Sequence, residues 1–252
     1  MRKQTVIVFM PAYNEEESIG DVIRNVPRGI SANIEVKVLV INDGSTDGTV
    51  KVANEAGADY IVEMDRNSGL GAAVRKGLSH CIELGADIAV MIDADGEYPA
   101  TQIPELIQPI VIGEADYVMG SRFLGTITGM KIHRRLGNYC FTLLQSVLLQ
   151  RRIHDGQSGM RAFSKEVTEE AEIIHDYNYA QVLTLNIVRK GFRMKEIPIR
   201  YSVRTTGKSF IKFKAYMTNV LPAIFKEMRK PVQRVSSSKK TQNEAHISQM
   251  EH

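Results

Sequence analysis

Cysteine is scarce in this sequence. The 252 residues contain two, Cys81 and Cys140, far apart and without a partner pattern. That excludes a disulfide framework or a zinc-binding cysteine spacing and suits a reducing compartment. Long apolar runs are missing too. A bilayer-spanning helix needs about 18–20 apolar residues in a row. The longest candidate, Tyr139 to Leu149, is shorter and interrupted by Thr142, Gln145 and Ser146, so the chain is not expected to cross a membrane by itself. No charged-then-apolar leader precedes the strand-like stretch that starts at Thr5. His80, His133, His154 and His175 are scattered and join no nucleophile constellation, so they read as structural or solvated. Acids are nearly absent from one region. Between Lys208 and Lys240 nine Lys and Arg face one acid, Glu227, an excess that points to an anionic surface or ligand. Nucleic acid is not that ligand, because the stretch coincides with an amphipathic helix and lacks interleaved exposed aromatics.

What is present begins as an alternation of strands and helices. Residues 5–10, 36–41, 60–62, 87–92 and 116–120 read as strands, and 15–25, 49–55, 72–84 and 101–112 as helices. Near-continuous apolar strands separated by helices predict a mostly parallel sheet covered on both faces. Ligands of such sheets bind beyond the carboxyl ends of the strands. Three polar clusters sit at such ends: Tyr13/Asn14/Glu15, Asn42/Asp43 and Asp93/Asp95/Glu97. The second half differs. Residues 134–150 form an amphipathic helix, 155–159 a loop, 165–174 and 178–190 helices, and 193–199 a strand whose Pro198 suggests an edge. A further helix spans 210–229, where Pro222 introduces a kink. No internal repeat is visible.

Asp93-Ala94-Asp95 follows a buried strand. Two carboxylates two residues apart, with Glu97 as a third oxygen donor, suit a hard divalent cation, Mg2+ or Mn2+, that keeps open positions for substrate phosphates. A helix cap would need one acid rather than three. Ser45 and Asp47 read as turn and cap residues. Asp43, at the sheet mouth, is placed to meet a base or ribose, and Tyr13 either stacks on a base or only packs. Arg66 and Lys76 read as solvated charges.

These residues carry a resemblance. Pro11-Ala12-Tyr13-Asn14-Glu15-Glu16, Asn42-Asp43-Gly44-Ser45-Thr46-Asp47 and Asp93-Ala94-Asp95 resemble the N-terminal motifs of family 2 glycosyltransferases with the GT-A fold. Gly120-Ser121-Arg122-Phe123, Arg134-Arg135, Asp155-Gly156-Gln157-Ser158-Gly159-Met160-Arg161 and Arg204-Thr205-Thr206-Gly207-Lys208-Ser209 are similar to segments of the dolichol-phosphate mannose synthase and polyprenyl-phosphate glycosyltransferase branch. The resemblance runs from about residue 5 to 230. It implies an α/β GT-A, Rossmann-like sheet over 1–230, with a nucleotide-sugar half (1–120), an acceptor half (121–209), an amphipathic membrane-interface helix (210–230) and a disordered tail (231–252). Pro11, Tyr13, Glu15, Ile41 and Asp43 would hold the nucleoside. Asp93, Ala94 and Asp95 would hold the diphosphate, and Asp95 and Glu97 the metal. Arg122, Arg134 and Asn138 would face the acceptor phosphate, and Arg204 and Lys208 would close over the phosphates. Asp93, Asp95, Arg122 and Arg134 would be the catalytic set.

Three departures from the pattern are visible. Glu97 stands where the family often has Gln, which adds a negative charge. Asn42 replaces a common Asp. Ser209-Phe210 replaces a usual Ser-Lys, which leaves Lys208 to substitute from two positions earlier.

The implied function is an inverting, metal-dependent transfer of a sugar from a nucleotide diphosphate sugar to dolichyl or polyprenyl phosphate. Mannose from GDP-mannose is the first expectation. UDP-glucose and UDP-N-acetylglucosamine stay open, as does transfer to a saccharide acceptor. The expected location is peripheral, at the cytoplasmic face of a membrane, through a direct surface, a homo-oligomer or a membrane-anchor partner. The apolar faces of helices 134–150 and 210–229 either lie in the interface or pack on the domain itself.

Overall fold

The computed structural model describes residues 3–174, 179–203 and 213–231, the side chains of 213–220 excepted. Seven strands form one mixed sheet: β1 (Gln4–Ala12), β2 (Ile34–Asn42), β3 (Tyr60–Glu63), β4 (Ile88–Met91), β5 (Tyr117–Thr128), β6 (Arg161–Ser164) and β7 (Met194–Ser202), in the order β3-β2-β1-β4-β6-β5-β7. β1 to β4 are mutually parallel, β5 pairs parallel with β7, and β6 runs antiparallel between β4 and β5. Helices α1 (Ile19–Arg24), α2 (Thr49–Glu55), α3 (Leu70–Glu83), α4 (Ile103–Val111), α5 (Ile132–Leu149), α6 (Lys165–Glu170), α7 (Tyr179–Arg189) and α8 (Phe213–Arg229) surround the sheet.

The period-2 alternation of strand side chains sorts the core into two layers. Val6, Val8, Met10, Val38, Val40 and Val90 face α1, α2 and α4. Ile7, Phe9, Leu39, Ile41, Ala89 and Met91 face α3, α6 and α7. Nearly all of these side chains are completely buried, each contributing about 1.5–3 kcal/mol of transfer free energy. Gly77 on α3 permits close contact, since a Cβ there would lie 2.4 Å from the Phe9 ring. A third, smaller cluster joins Phe141 of α5, Val182 and Leu185 of α7, and Ala223 and Ile224 of α8.

Several boundaries differ from the sequence expectation. α1 starts at Ile19 rather than Glu15, because Asn14 adopts a left-handed φ of 55° and the chain turns before the helix begins. α6 ends at Glu170. β6, with only four residues, was not foreseen. β5 does not stop at Gly120 but continues to Thr128, pairing with β7 across an irregularity in which Ser121 matches Pro198 and Thr126 matches Arg200. Pro198 has no N–H for a ladder, and β7 is indeed an edge strand. Such bulges re-aim side chains near active sites, and Arg122 sits within this one.

Helices α5 and α8 show how their apolar faces divide. α5 turns Phe141, Thr142 and Gln145 inward. Ile132, Leu136, Tyr139, Leu143 and Val147, at helical spacing, stay 51–85% exposed. The described second half of α8 packs inward, with Ala223 and Ile224 buried against α7. There Glu227 is fully buried and takes bonds from Asn186 and Arg189. No helix among the described residues is long and apolar enough to cross a membrane.

Candidate active site

The strand order changes direction between β1 and β4, and the crevice at such a switch point is where open α/β sheets bind ligands. The β1 end carries Pro11 and Tyr13, and the β4 end carries Asp93, Ala94 and Asp95. The first two motifs are sewn together at this mouth. Asn14 N donates to Ser45 Oγ (3.0 Å) and Thr46 N to Asn14 Oδ1 (2.8 Å). Gly48 N donates to Glu16 Oε2 (2.7 Å), and Thr49 N to Asp47 Oδ1 (3.0 Å). Ser45 and Asp47 are therefore turn residues. Glu15 anchors its loop through Thr49 Oγ1, which accepts from its N–H, and its carboxylate accepts from Ser18 Oγ.

Asp43 is 4% exposed, and its two oxygens accept the N–H groups of Ser68 (2.7 Å) and Gly69 (2.9 Å). It thus braces the loop leading into α3. Ile41 points wholly into the core, so only its backbone borders the mouth. Arg66 and Lys76 are exposed, as solvated charges would be. With Ser68 and Arg75 they line an open surface cavity of about 820 Å3 on the flank of α3.

At the β4 end Asp93 keeps partial solvent access but is densely surrounded. Burial, reinforced by Asp95 and Glu97, pushes its carboxyl well above the ordinary range, while Arg161 and Arg122 oppose the shift. Glu97 N donates to Asp95 Oδ1 (3.0 Å). Glu97 is 7% exposed and accepts Tyr201 O–H on Oε2 at 2.5 Å. Among the described residues, no three Asp, Glu, His or Cys side chains form a ready-made metal cage. Crowded acids at a solvent-reachable strand end still fit a cation of the kind that uses one or two carboxylates and fills its other positions with water and substrate phosphates.

The second half supplies the opposite charge. Arg122 is 3% exposed and bound to Asp155 through Nε (2.7 Å) and Nη2 (2.8 Å), with Tyr201's ring 5.2 Å from its Cζ. Arg134 opens α5 at 35% exposure, its Nη2 3.7 Å from Glu97 Oε2. Asn138 lies one turn further on, and its amide donates to Met130 Sδ (3.9 Å). Arg204 and Lys208 fall outside the described residues.

Several participants were not foreseen. Arg161 of β6 is fully buried, and its guanidinium collects the carbonyls of Ser158 and Ala180 and the hydroxyls of Tyr117 and Thr184. It thereby ties down the 155–159 loop. Gly159 N donates to Tyr98 O–H at 3.0 Å, and a Cβ on Gly159 would lie 1.9 Å from Asp93 Oδ2. Tyr98 and Tyr201 meet edge-on at 5.3 Å. The adjacency of Tyr98 to Glu97 and the Gly-Met-Arg run were the available signals. Nothing in the local pattern pointed to Tyr201. His154 pairs with Glu196, a structural role as expected.

Comparison with known proteins agrees with this geometry. The family model described as "Glycosyl transferase family 2" matches residues 7–171. UDP-N-acetylglucosamine--dolichyl-phosphate N-acetylglucosaminyltransferase of Methanococcus voltae is 30% identical over 86% of this chain and 95% of its own. Polyprenol monophosphomannose synthase of Mycolicibacterium smegmatis is 31% identical over 88% and 85%. Among solved structures, glucosyl-3-phosphoglycerate synthase from Mycobacterium tuberculosis in complex with Mn2+, uridine-diphosphate and glucosyl-3-phosphoglycerate superposes with a TM-score of 0.71. That match has 22% identity over 90% of this chain and 81% of that one, a likeness of fold. A seven-stranded GT-A-type sheet with acids at the mouth of β4, matched by the family model over residues 7–171, means that this chain belongs to glycosyltransferase family 2.

Proposed function

We propose that this chain transfers a sugar from a nucleoside diphosphate to the phosphate of a dolichyl or polyprenyl lipid, with inversion at the anomeric carbon. The observation that carries this reading is the meeting of opposite charges. Glu97, tied to Asp95 and suited with it to the donor side, lies 3.7 Å from Arg134 and shares Tyr201 with Arg122, the two arginines being suited to an anionic acceptor. Relatives named for dolichyl-phosphate and polyprenol substrates support the acceptor class. Pro11 and Tyr13 border the nucleoside at the β1 end, and Asp43 supports that wall through the 66–69 loop. Asp93 and Ala94 face the diphosphate.

Asp95 and Glu97 would hold Mg2+ or Mn2+, and the ion would neutralise charge on the departing diphosphate. Mn2+ complexes among the structural neighbours support a divalent ion. The acceptor, a phosphate monoester with a second pKa near 6, is largely dianionic at pH 7. It is a competent nucleophile without a general base. Its oxygen forms a bond to the anomeric carbon as the bond to the nucleoside diphosphate breaks. Arg134, half exposed at the start of α5, presents a forked donor to that phosphate. Arg122 is bound by Asp155 and shapes the positive wall behind it. Asn138 lies on the same helix, one turn on. Arg204 and Lys208 remain proposed partners of the phosphates.

The exposed stripe of Ile132, Leu136, Tyr139, Leu143 and Val147 on α5 supports a peripheral membrane address; the cytoplasmic face is the one proposed.

The test is incubation with radiolabelled GDP-mannose, UDP-glucose and UDP-N-acetylglucosamine, polyprenyl phosphate in vesicles, and Mg2+ or Mn2+. Label should pass into lipid from one donor, mannose being the first expectation. Folded protein that labels lipid from none of them overturns the lipid acceptor in favour of a saccharide. Arg134→Ala should raise the KM for polyprenyl phosphate and spare donor binding.

A further inference from the structure

Glu97 stands between the two halves of the site. Its backbone N–H is tied to Asp95 Oδ1 at 3.0 Å, and its carbonyl accepts Ser202 N–H of β7 at 3.1 Å. On its carboxylate, Oε2 takes the Tyr201 hydroxyl at 2.5 Å and lies 3.7 Å from Arg134 Nη2. The acid's side chain is 8% exposed and the arginine's 35%. The fixed partner and the mobile one therefore share one oxygen. Tyr201 is 2% exposed and held by the Tyr98 ring and the Arg122 guanidinium. Arg134 is the group with room to leave.

Oε2 already takes the Tyr201 hydroxyl and lies near Arg134, so a divalent cation placed on it would crowd the guanidinium, the more exposed of the two partners. A cation at Glu97 also repels a guanidinium less than 4 Å away. We propose that Arg134 and the divalent cation compete for Glu97, so that loading the cation releases Arg134 toward the acceptor phosphate. Tyr201 acts as a positioning residue that keeps Glu97 aimed at both. This rests on the reading of Asp95 and Glu97 as the cation site. It accounts for glutamate at this position: a neutral glutamine would bind the metal without holding the arginine. The sites are then linked energetically, and linkage is reciprocal. The cation should strengthen binding of a phosphate ligand, and a phosphate ligand should strengthen binding of the cation.

The experiment measures Mn2+ binding to the full-length protein by electron paramagnetic resonance, without donor or acceptor. The proteins are wild type, Arg134→Gln, Glu97→Gln, the double variant, Tyr201→Phe and Asp95→Ala, each checked for folding by circular dichroism. Arg134→Gln should tighten Mn2+ binding about fivefold or more, within the usual range of coupling between sites. In the Glu97→Gln background the same change should shift the Kd less than about twofold. Tyr201→Phe should reduce the Arg134 effect while leaving the fold intact. An equal Arg134→Gln effect in both backgrounds would mean general repulsion and would overturn the competition. So would no effect, or weakened binding. Asp95→Ala that binds Mn2+ like wild type, or wild type and Arg134→Gln that both bind none, would overturn the cation-site reading itself. The two failures are therefore distinguishable.

Discussion

Asp155 grips the Arg122 guanidinium with two parallel bonds, Oδ2 to Nε at 2.7 Å and Oδ1 to Nη2 at 2.8 Å, while both side chains are almost fully buried. Burial opposes the guanidinium charge, but Tyr98 and Asp155 outweigh it, so the arginine is held more firmly protonated than in water. Asp155→Ala strands that charge. Breaking a buried pair from one side costs about 3–5 kcal/mol. Urea denaturation should show a loss of this size for Asp155→Ala and a smaller one for Asp155→Asn, which keeps the volume. A loss below about 1 kcal/mol for the alanine variant would mean that the pair is not a support of the second half of the chain.

Gly159 presses directly on Asp93, with space for a hydrogen and none for a methyl group. Gly159→Ala must move either the acid or the loop that Arg161 pins. A displacement of about 1 Å at a reacting site costs on the order of 10²-fold in rate. We expect kcat to fall by that order, together with a destabilisation of about 1–3 kcal/mol from overpacking. Unchanged turnover would show that Asp93 tolerates displacement and that its contact with the loop is incidental.

Glu172 lies between Lys190 and Lys230, and its hydrogen bonds to Lys190 first and Lys230 second hold its carboxyl below its ordinary pKa of 4.5. An acid depressed on folding contributes stability above its unfolded pKa, and that stability disappears as pH falls through the folded value. The difference in stability between wild type and Glu172→Gln should therefore be present at pH 6–7 and shrink below about pH 4.5. Its side chain is 43% exposed, so screening keeps the difference below about 1 kcal/mol. Urea titrations across this range measure it. A difference that grows on acidification would reverse the assignment.

In the outward stripe on α5, Tyr139 packs on the Phe123 ring, whereas Leu136 and Leu143 are 64% and 65% exposed and contribute little to the fold. Leu136→Glu with Leu143→Glu should change stability by less than about 0.5 kcal/mol per site. Each leucine moved into an interface gains about 1.5–3 kcal/mol, so sedimentation with anionic vesicles should fall at least tenfold. Unaltered vesicle binding would move the membrane contact elsewhere.

Much was legible before the structure. Valine- and isoleucine-rich runs predicted β1, β2 and β4, because strands buried on both faces must be apolar throughout. The acids at the ends of β2 and β4 could be assigned to one mouth, because parallel strands deliver their carboxyl ends together. The family resemblance in the acidic and loop motifs was visible for the same reason, as their residues are contiguous in the chain. What stayed hidden depends on residues distant in sequence. β6 carries too few residues to show a period. Arg161 is only the last residue of a motif until its loop carbonyls and the Tyr117 hydroxyl are brought around it. β5 seems to end at Gly120 because its continuation draws its stability from β7, across the bulge opposite Pro198.

The amino-acid order alone determined the alternating scaffold, the acidic clusters and their place at strand ends, since local periodicity and chain direction suffice for these. Only the tertiary structure decided that Glu97 faces Arg134 and Tyr201, that Asp155 occupies Arg122, and which side of α5 remains outside. Those are contacts between groups up to 104 positions apart in the chain. No local preference encodes them, because the free energy that selects them exists only once the two halves have packed.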